Sequence, residues 1–224
     1  MSNQLTAIEV NNQQKIFTVL LNVLKMLSAR ELINPNTIQD KYEKIKNIFS
    51  DDQIYNIKTD KGNNFVLKFA PQKITTINKA LGVSDFLTNY KNDNKIVVVV
   101  DINKKAYKQI IEFPNTEIFW EFEFMMNLID HVYIPEHTLL PIGYQPSNMD
   151  PEEKYKDHEK LEDIYFVTKR ECPKIEVTDP IARYYNLIPG QFIRIKRKSM
   201  SSGYSPSYRI VVNAPISRLF DRFS

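Results

Sequence analysis

The chain has a single cysteine, Cys172, in 224 residues, which excludes an intramolecular disulfide and any multi-cysteine zinc site. A lone thiol fits a reducing compartment. Only five glycines are present and none builds a glycine-rich phosphate loop, so a nucleotide cradle of that type is absent. Long apolar runs are missing too. The longest unbroken aliphatic stretch, Ile96 to Val100, is far too short to cross a bilayer, and no membrane partner is expected. Met1 to Gln14 has no basic start followed by an apolar stretch, so no secretory signal is expected. Nor is there a Ser-His-Asp arrangement or a paired-carboxylate acid–base site.

What remains is a chain with 42% hydrophobic and 25% charged residues, ordinary for a soluble globular protein. Its length suits one large domain or two small ones. The net charge of +3 is unevenly spread. Asp150 to Glu171 holds eight acidic and five basic residues, whereas Pro173 to Ser224 holds nine basic and three acidic. A basic C-terminal region can face nucleic acid or an acidic protein surface.

Ile16, Val19, Leu20, Val23, Leu24 and Leu27 recur at three- and four-residue spacing, which predicts a helix. A second helix opens at Thr37 as N-cap, with Ile38, Tyr42, Ile45 and Phe49 on one stripe. Ile54 to Ile57 and Phe65 to Phe69 read as strands joined by a turn at Lys61-Gly62-Asn63. A short helix is expected over Ile74, Ile77 and Leu81. Lys95 to Asp101 reads as a strand buried on both faces, as in parallel sheets. Tyr107, Ile110 and Ile111 suggest a helix after it. Trp120, Phe122 and Phe124 alternate with Glu121 and Glu123, the period of a strand with one wet face. Strand, helix and strand in this order predict a βαβ unit, hence a small N-terminal α/β domain over residues 1–126.

From Asn127 the texture changes. His131 to Leu140 reads as extended, followed by a loop at Pro141, Gly143 and Pro146. Asp150-Pro151-Glu152-Glu153 is a helix start with cap, first-turn proline and returning glutamate. After Pro173, strands are expected at Lys174 to Val177, Phe192 to Arg197 and Ser207 to Val212. Asp179 caps a short helix whose first residue is Pro180, and Asn186 suits the left-handed residue that closes it. Pro189-Gly190 reads as a type II turn. In the following strand Ile193 and Ile195 face the core, while Phe192, Arg194 and Lys196 face the other way.

The stretch C-P-K-I-E-V-T-D-P-I-A-R-Y-Y-N-L-I-P-G-Q-F-I-R-I-K-R-K-S-M-S-S-G-Y-S-P-S-Y-R-I-V-V, Cys172 to Val212, resembles the assembly domain of the fifth-subunit family of eukaryotic and viral DNA-directed RNA polymerases, a family with an archaeal counterpart. Pro173, Ile175, Asp179, Pro180, Ala182, Arg183, Tyr184, Gly190, Gln191, Ile193, Ile195, Arg197, Ser199, Gly203, Tyr208 and Arg209 fall on the family's P-R-I, D-P-V-A-R-Y, G-Q-V-V-K-I-I-R, S-E-T-S-G-R-Y and Y-R elements without a gap. Asn127 to His137, N-L-I-D-H-V-Y-I-P-E-H, is similar to the family's N-I-T-x-H-E-L-V-P-x-H and adds Pro135 and His137. Tyr165 falls at the family's tyrosine before P-R-I. Asn186 stands where the family has glycine, the segment at about 143–163 is a longer, acidic insertion, and the tail 213–224 has no counterpart in the family. The first 126 residues match only in outline, a pattern that suits a large DNA virus better than an animal or fungal nucleus.

The resemblance implies two domains. One is an N-terminal α/β jaw-like domain. The other, over 127–224, is a small C-terminal α+β assembly domain with a short mixed sheet. It implies a non-catalytic subunit of a multisubunit DNA-dependent RNA polymerase, docked on the largest subunit, with the jaw near downstream DNA contacted without sequence preference. No cofactor, metal or catalytic residue is expected on this chain. The sixteen interface residues it implies are the motif positions above other than Tyr165, Ile193, Ile195 and Ser199, together with Arg194. The site of action would be the virion and the infected cell's transcription site, or the nucleus for a cellular source.

Two other readings compete. Asp101, Lys104, Lys105, Glu121 and Glu123 at strand ends could hold Mg²⁺ in a free-standing nuclease-like enzyme. The simpler reading is a strand ending in a turn beside solvated glutamates. Alternatively, a viral adaptor could retain the assembly domain and bind something else. His131 and His137 would share a face of a regular strand, but Pro135 interrupts it and no third ligand lies nearby; His158 sits in a charged helix. Cys172 reads as a packed thiol, not a nucleophile. Arg194, Lys196, Arg197 and Lys198 could meet phosphate or stay solvated.

Overall fold

The apolar spacing near the N-terminus folds as α1, Asn12–Ala29, in the computed structural model, which describes residues 12–47, 53–77, 82–140, 171–199 and 203–221. The chain divides into two compact units, Met1–Asn127 and Leu128–Ser224. In the first, α1 buries Val19, Leu20, Val23, Leu24 and Leu27, and the buried Asn22 amide donates to the carbonyl of Phe124 at 2.8 Å. Arg30 forks onto both oxygens of Glu117 at 2.8 and 2.7 Å, the bidentate geometry guanidinium favours.

A 3₁₀ turn, Pro35–Thr37, leads into α2, Ile38–Lys46. The capping expected of Thr37 is done by Asn34, whose side chain accepts from Asn36 N at 3.0 Å. Pro35 starts the turn earlier, and the Thr37 hydroxyl donates back to the Asn34 carbonyl. Strands β1 (Ile54–Lys58) and β2 (Asn64–Ala70) form the expected hairpin, turning at Gly62 with φ +85°. β2 then runs parallel to β3 (Asn94–Val99), and β3 to β4 (Thr116–Trp120), in the sheet order β1-β2-β3-β4. The parallel steps are crossed by α3 (Val83–Asn89) and α4 (Lys104–Ile111), the latter capped by Asn103. One lysine of β3, Lys95, is buried, and its ammonium donates to the carbonyls of Tyr90, Asp93 and Lys91. Burial pushes its pKa down.

Two further expectations in this unit fail, and Phe49 and Leu81, also expected on helices, lie outside the described residues. Ile74 is not helical: its N–H donates to Asp101 O at 2.9 Å and it bridges Ile102, so β-type pairing outweighs helical spacing there. The helix of this region is α3, which follows Gly82 at φ +62°. The strand expected through Phe124 stops at Trp120, and Glu121–Phe124 is a 3₁₀ turn. The Glu123 carboxylate accepts from Trp120 N at 2.8 Å and turns the chain, which buries Phe124 and leaves Phe122 50% exposed.

The second unit is built on a mixed sheet in the order β5-β7-β8-β6. Its strands are β5 (Glu136–Leu139), β6 (Lys174–Glu176), β7 (Phe192–Ser199) and β8 (Gly203–Val212), with β6 parallel to β8 and the other pairs antiparallel. The extended reading from His131 holds only from Glu136. Before it lie a 3₁₀ turn, Leu128–Asp130, and a turn closed by Ile134 N donating to His131 O. Helix α5, Pro180–Tyr184, covers one face of the sheet through Ile175, Ala182, Leu187, Ile193 and Val211. On the other face Leu140, Cys172, Phe192 and Tyr208 form a second cluster, so the Phe192 side of β7 is half core and half basic. The Cys172 thiol lies 3.7 Å from Tyr208 O, and burial raises its pKa. The tail forms α6, Ser217–Asp221, which buries Leu219 and pairs Arg218 with Glu176. The insertion at 143–163, the helix start at Asp150, His158 and Tyr165 lie outside the described residues. No described helix is long and apolar enough to cross a membrane.

Candidate functional site

Cys172 to Val212 is organised by α5 and the turn after it. The Asp179 carboxylate accepts from Ile181 N at 2.9 Å, and Pro180 occupies the first helical position, where no N–H is needed. Asn186 sits at φ 51°, left-handed as expected. Asn186 N donates to Arg183 O at 3.0 Å and Leu187 N to Ala182 O at 2.8 Å, the paired bonds of a Schellman closure. Gly190 at φ +88°, with Gln191 N donating to Ile188 O at 3.1 Å, makes the type II turn. Gly190 N then donates to Val211 O, and Gln191 donates through its side chain to Leu140 O at 3.2 Å.

The sixteen candidate interface residues fall into different environments. Ile175, Ala182, Tyr184 and Tyr208 are buried and build the core. Pro173, Pro180, Gly190 and Gly203 are exposed, with backbone tasks; Pro173 O accepts from Ile210 N at 2.9 Å and Gly203 opens β8 at φ +73°. Pro135, His137, Asp179, Arg183, Gln191, Arg194 and Arg209 are half-buried, and Arg197 is exposed.

The structure does bring some of these together. His137 is opposite Ile195, and Arg209 opposite Ile193, so both lie on the α5 face of the sheet, with the Tyr185 ring 6.5 Å from the imidazole. Burial depresses the His137 pKa; the Pro135 carbonyl and the Asp179 carboxylate oppose this, and Arg209 and Arg197 add to it. The imidazole is therefore neutral near pH 7. Arg194 and Arg197, by the two-residue period of β7, lie on opposite faces and do not form one patch.

A groove of about 740 Å³ lies where β5 begins, lined by the turn 131–136, by Lys196, Arg197 and Lys198 of β7, and by Tyr204 of β8. Val132 is 93% exposed and Tyr133 88%, large apolar surfaces with no described cover. Val132, Tyr133 and Tyr204 are not among the family-motif positions. The apolar run Val132-Tyr133-Ile134-Pro135 carried the signal, but as part of a strand it would have been half-buried.

The carboxylates of the nuclease reading are occupied separately. Asp101 pairs with Lys73 at 2.6 Å, Glu121 with Lys15 at 3.6 Å, and Glu123 caps its own turn. Among the described residues, no three His, Cys, Asp or Glu side chains gather as a metal site. His131 lies in the turn and accepts from Tyr133 N, away from the strand that carries His137.

Comparison with known proteins extends over both units. Residues 126–211 match the family described as RNA polymerase Rpb5, C-terminal domain. The chain is 32% identical over 207 residues to DNA-directed RNA polymerase subunit 5 of Acanthamoeba polyphaga mimivirus, covering 90% of this chain and 94% of that protein. It is 27% identical over 211 residues to subunit rpabc1 of DNA-directed RNA polymerases I, II and III of Dictyostelium discoideum, covering 88% and 98%. Subunit Rpo5 of the DNA-directed RNA polymerase of Archaeoglobus fulgidus is 34% identical over 85 residues, 38% of this chain and 95% of that one.

Proposed function

Because the chain belongs to the subunit 5 family of DNA-directed RNA polymerases, we propose that it is a non-catalytic subunit of a multisubunit DNA-dependent RNA polymerase. Its C-terminal unit docks on the largest subunit, and its N-terminal unit forms part of the jaw near downstream DNA. The observation that carries this reading is the extent of the similarity, 90% of this chain against 94% of a viral subunit 5. Docking uses motif residues on both faces of the sheet, Arg197 and Arg209 with His137 on the α5 face and Arg194 on the other, along with Arg183 and Pro135, since arginine anchors interfaces well. Exposed Lys104, Lys105 and Lys108 on α4 supply charge for sequence-independent contact with DNA. The chain binds no cofactor of its own, and the catalytic Mg²⁺ belongs to the large subunits. It acts in the virion and the infected cell's transcription site if the source is viral, and in the nucleus if it is cellular.

The test is affinity purification of the tagged full chain from its native source. Both large polymerase subunits should accompany it. Arg194→Glu with Arg197→Glu should reduce their recovery more than Lys154→Glu with Lys156→Glu. Recovery without either large subunit sinks the reading and favours an adaptor. Mg²⁺-dependent cleavage of DNA by the purified chain, lost in Asp101→Ala, favours the nuclease instead.

A further inference from the structure

The groove at the start of β5 is more than a concavity, because a strand edge opens into it. β5 pairs with β7 only from Glu136 opposite Lys196 to Leu139 opposite Ile193, whereas β7 continues to Ser199. Leu140 N donates to Phe192 O, so Phe192 turns its backbone groups toward β5. By the two-residue period, Arg194, Lys196 and Lys198 do the same. Lys198 lies beyond the first residue of β5, and its N–H and C=O face the groove with no described strand of this unit beside them. Pro135, just before β5, has no N–H to extend the ladder. An uncovered edge of this kind is a template for another chain.

The walls define what that chain must be. One is apolar: Val132, Tyr133, Ile134 and Pro135. The other is cationic: Lys196, Arg197 and Lys198, against one rim carboxylate, Glu136, which lies 4.0 Å from Lys196. We propose that the groove receives an extended acidic segment of a partner protein, which adds to β7 as a short strand in line with β5 and sets an apolar side chain against Val132 and Tyr133. Strand addition of this sort takes affinity from backbone bonds and specificity from alternate side chains. Opposite charge selects among candidate segments.

Single-stranded nucleic acid fits less well. Stacking of successive bases needs several open aromatic faces, and with the Lys196 ammonium over the Tyr204 ring at 4.9 Å the lining leaves Tyr133 as a single open tyrosine. A nucleic acid also has no N–H and C=O ladder to complete the edge at Lys198. Pro135 and Arg197 also belong to the docking set proposed above, so the inference rests on that reading and gives this part of its surface a defined ligand.

The probe is a fluorescein-labelled hexapeptide of alternating Glu and Phe, titrated into the full chain at low salt and followed by anisotropy. The comparators are its Lys-for-Glu counterpart, the same peptide with alternate amides N-methylated, and a six-nucleotide dT oligomer. The acidic peptide should bind at least about tenfold more tightly than each comparator. Lys198→Glu and, separately, Tyr133→Ser should each weaken it by about tenfold while circular dichroism stays unchanged. The proposal is overturned if the oligomer or the basic peptide binds as tightly, if N-methylation has no effect, or if the folded chain ignores the acidic peptide. The titration holds only this chain and the probes, so it fails or succeeds separately from polymerase co-purification.

Discussion

In the N-terminal unit, residues 65–70 of β2 and 95–99 of β3 are buried without a break, as strands covered on both faces must be. In the C-terminal unit β5 alternates between exposed and half-buried residues, and the helix over the sheet has five residues. The first unit is therefore held by filled volume. The second has less buried volume per strand, so Asp179, Asn186, Gly190 and Gly203 weigh more in it than the left-handed residues Gly62, Gly82 and Asn115 do in the first. Volume can be filled by many combinations of Val, Ile, Leu and Phe. A left-handed residue at a helix end or a turn admits few substitutes. In the second unit such residues fall inside the recognisable motifs, although the similarity to the viral and Dictyostelium subunits runs through both units.

Removing volume tests this contrast where it is strongest. Leu24→Ala in α1, at a fully buried position, should cost about 3–4 kcal/mol and lower the urea midpoint of the N-terminal unit. A similar cost from Gly190→Val would mean that conformation matters as much as volume. Gly190→Val is expected to cost about 2 kcal/mol, and purely as backbone strain, because an added Cβ there meets nothing within 4 Å. Asn186 separates conformation from volume more finely. Asn186→Val should cost about 1 kcal/mol, whereas Asn186→Gly should be neutral or slightly stabilising. Equal urea midpoints for the two variants would show that the closure does not constrain that residue.

The smallest expected effect is a pH dependence confined to the C-terminal unit. Burial holds the His137 pKa below its unfolded value, so the unfolded state binds the proton more readily. The associated stability is fully present above about pH 6.5 and is lost as the pH falls through the lower folded pKa. His137→Gln should flatten the acid side of the stability curve of this unit, read by urea titrations at pH 7.5, 6.5 and 5.5. An unchanged slope would show that the imidazole titrates normally.

Much of this architecture was legible. The hairpin at Gly62, the parallel β3-α4-β4 unit, the Asp179 cap, the left-handed Asn186 and the Pro189-Gly190 turn rest on local chemistry, and the sequence states local chemistry directly. The errors arose where a side-chain cap or a distant partner overrides the spacing pattern. Glu121 to Phe124 alternates like a strand, yet the Glu123 carboxylate turns it. Ile74 has helical neighbours in spacing but takes a β-partner from a distant residue, Ile102. The groove was least legible of all. Tyr133 and Val132 are surface residues only because β5 starts at Glu136, and strand boundaries are set by pairing rather than by the residues themselves.

Cys172 gives the molecule a built-in gauge. It is the only thiol of the chain, and it is 4% exposed inside the C-terminal unit with its ionisation suppressed by burial. A reagent that attacks thiolates can therefore reach it only when that unit opens. The rate at which an aromatic disulfide reagent labels the native chain reads the opening equilibrium of one half of the protein. It needs neither mutation nor an attached dye.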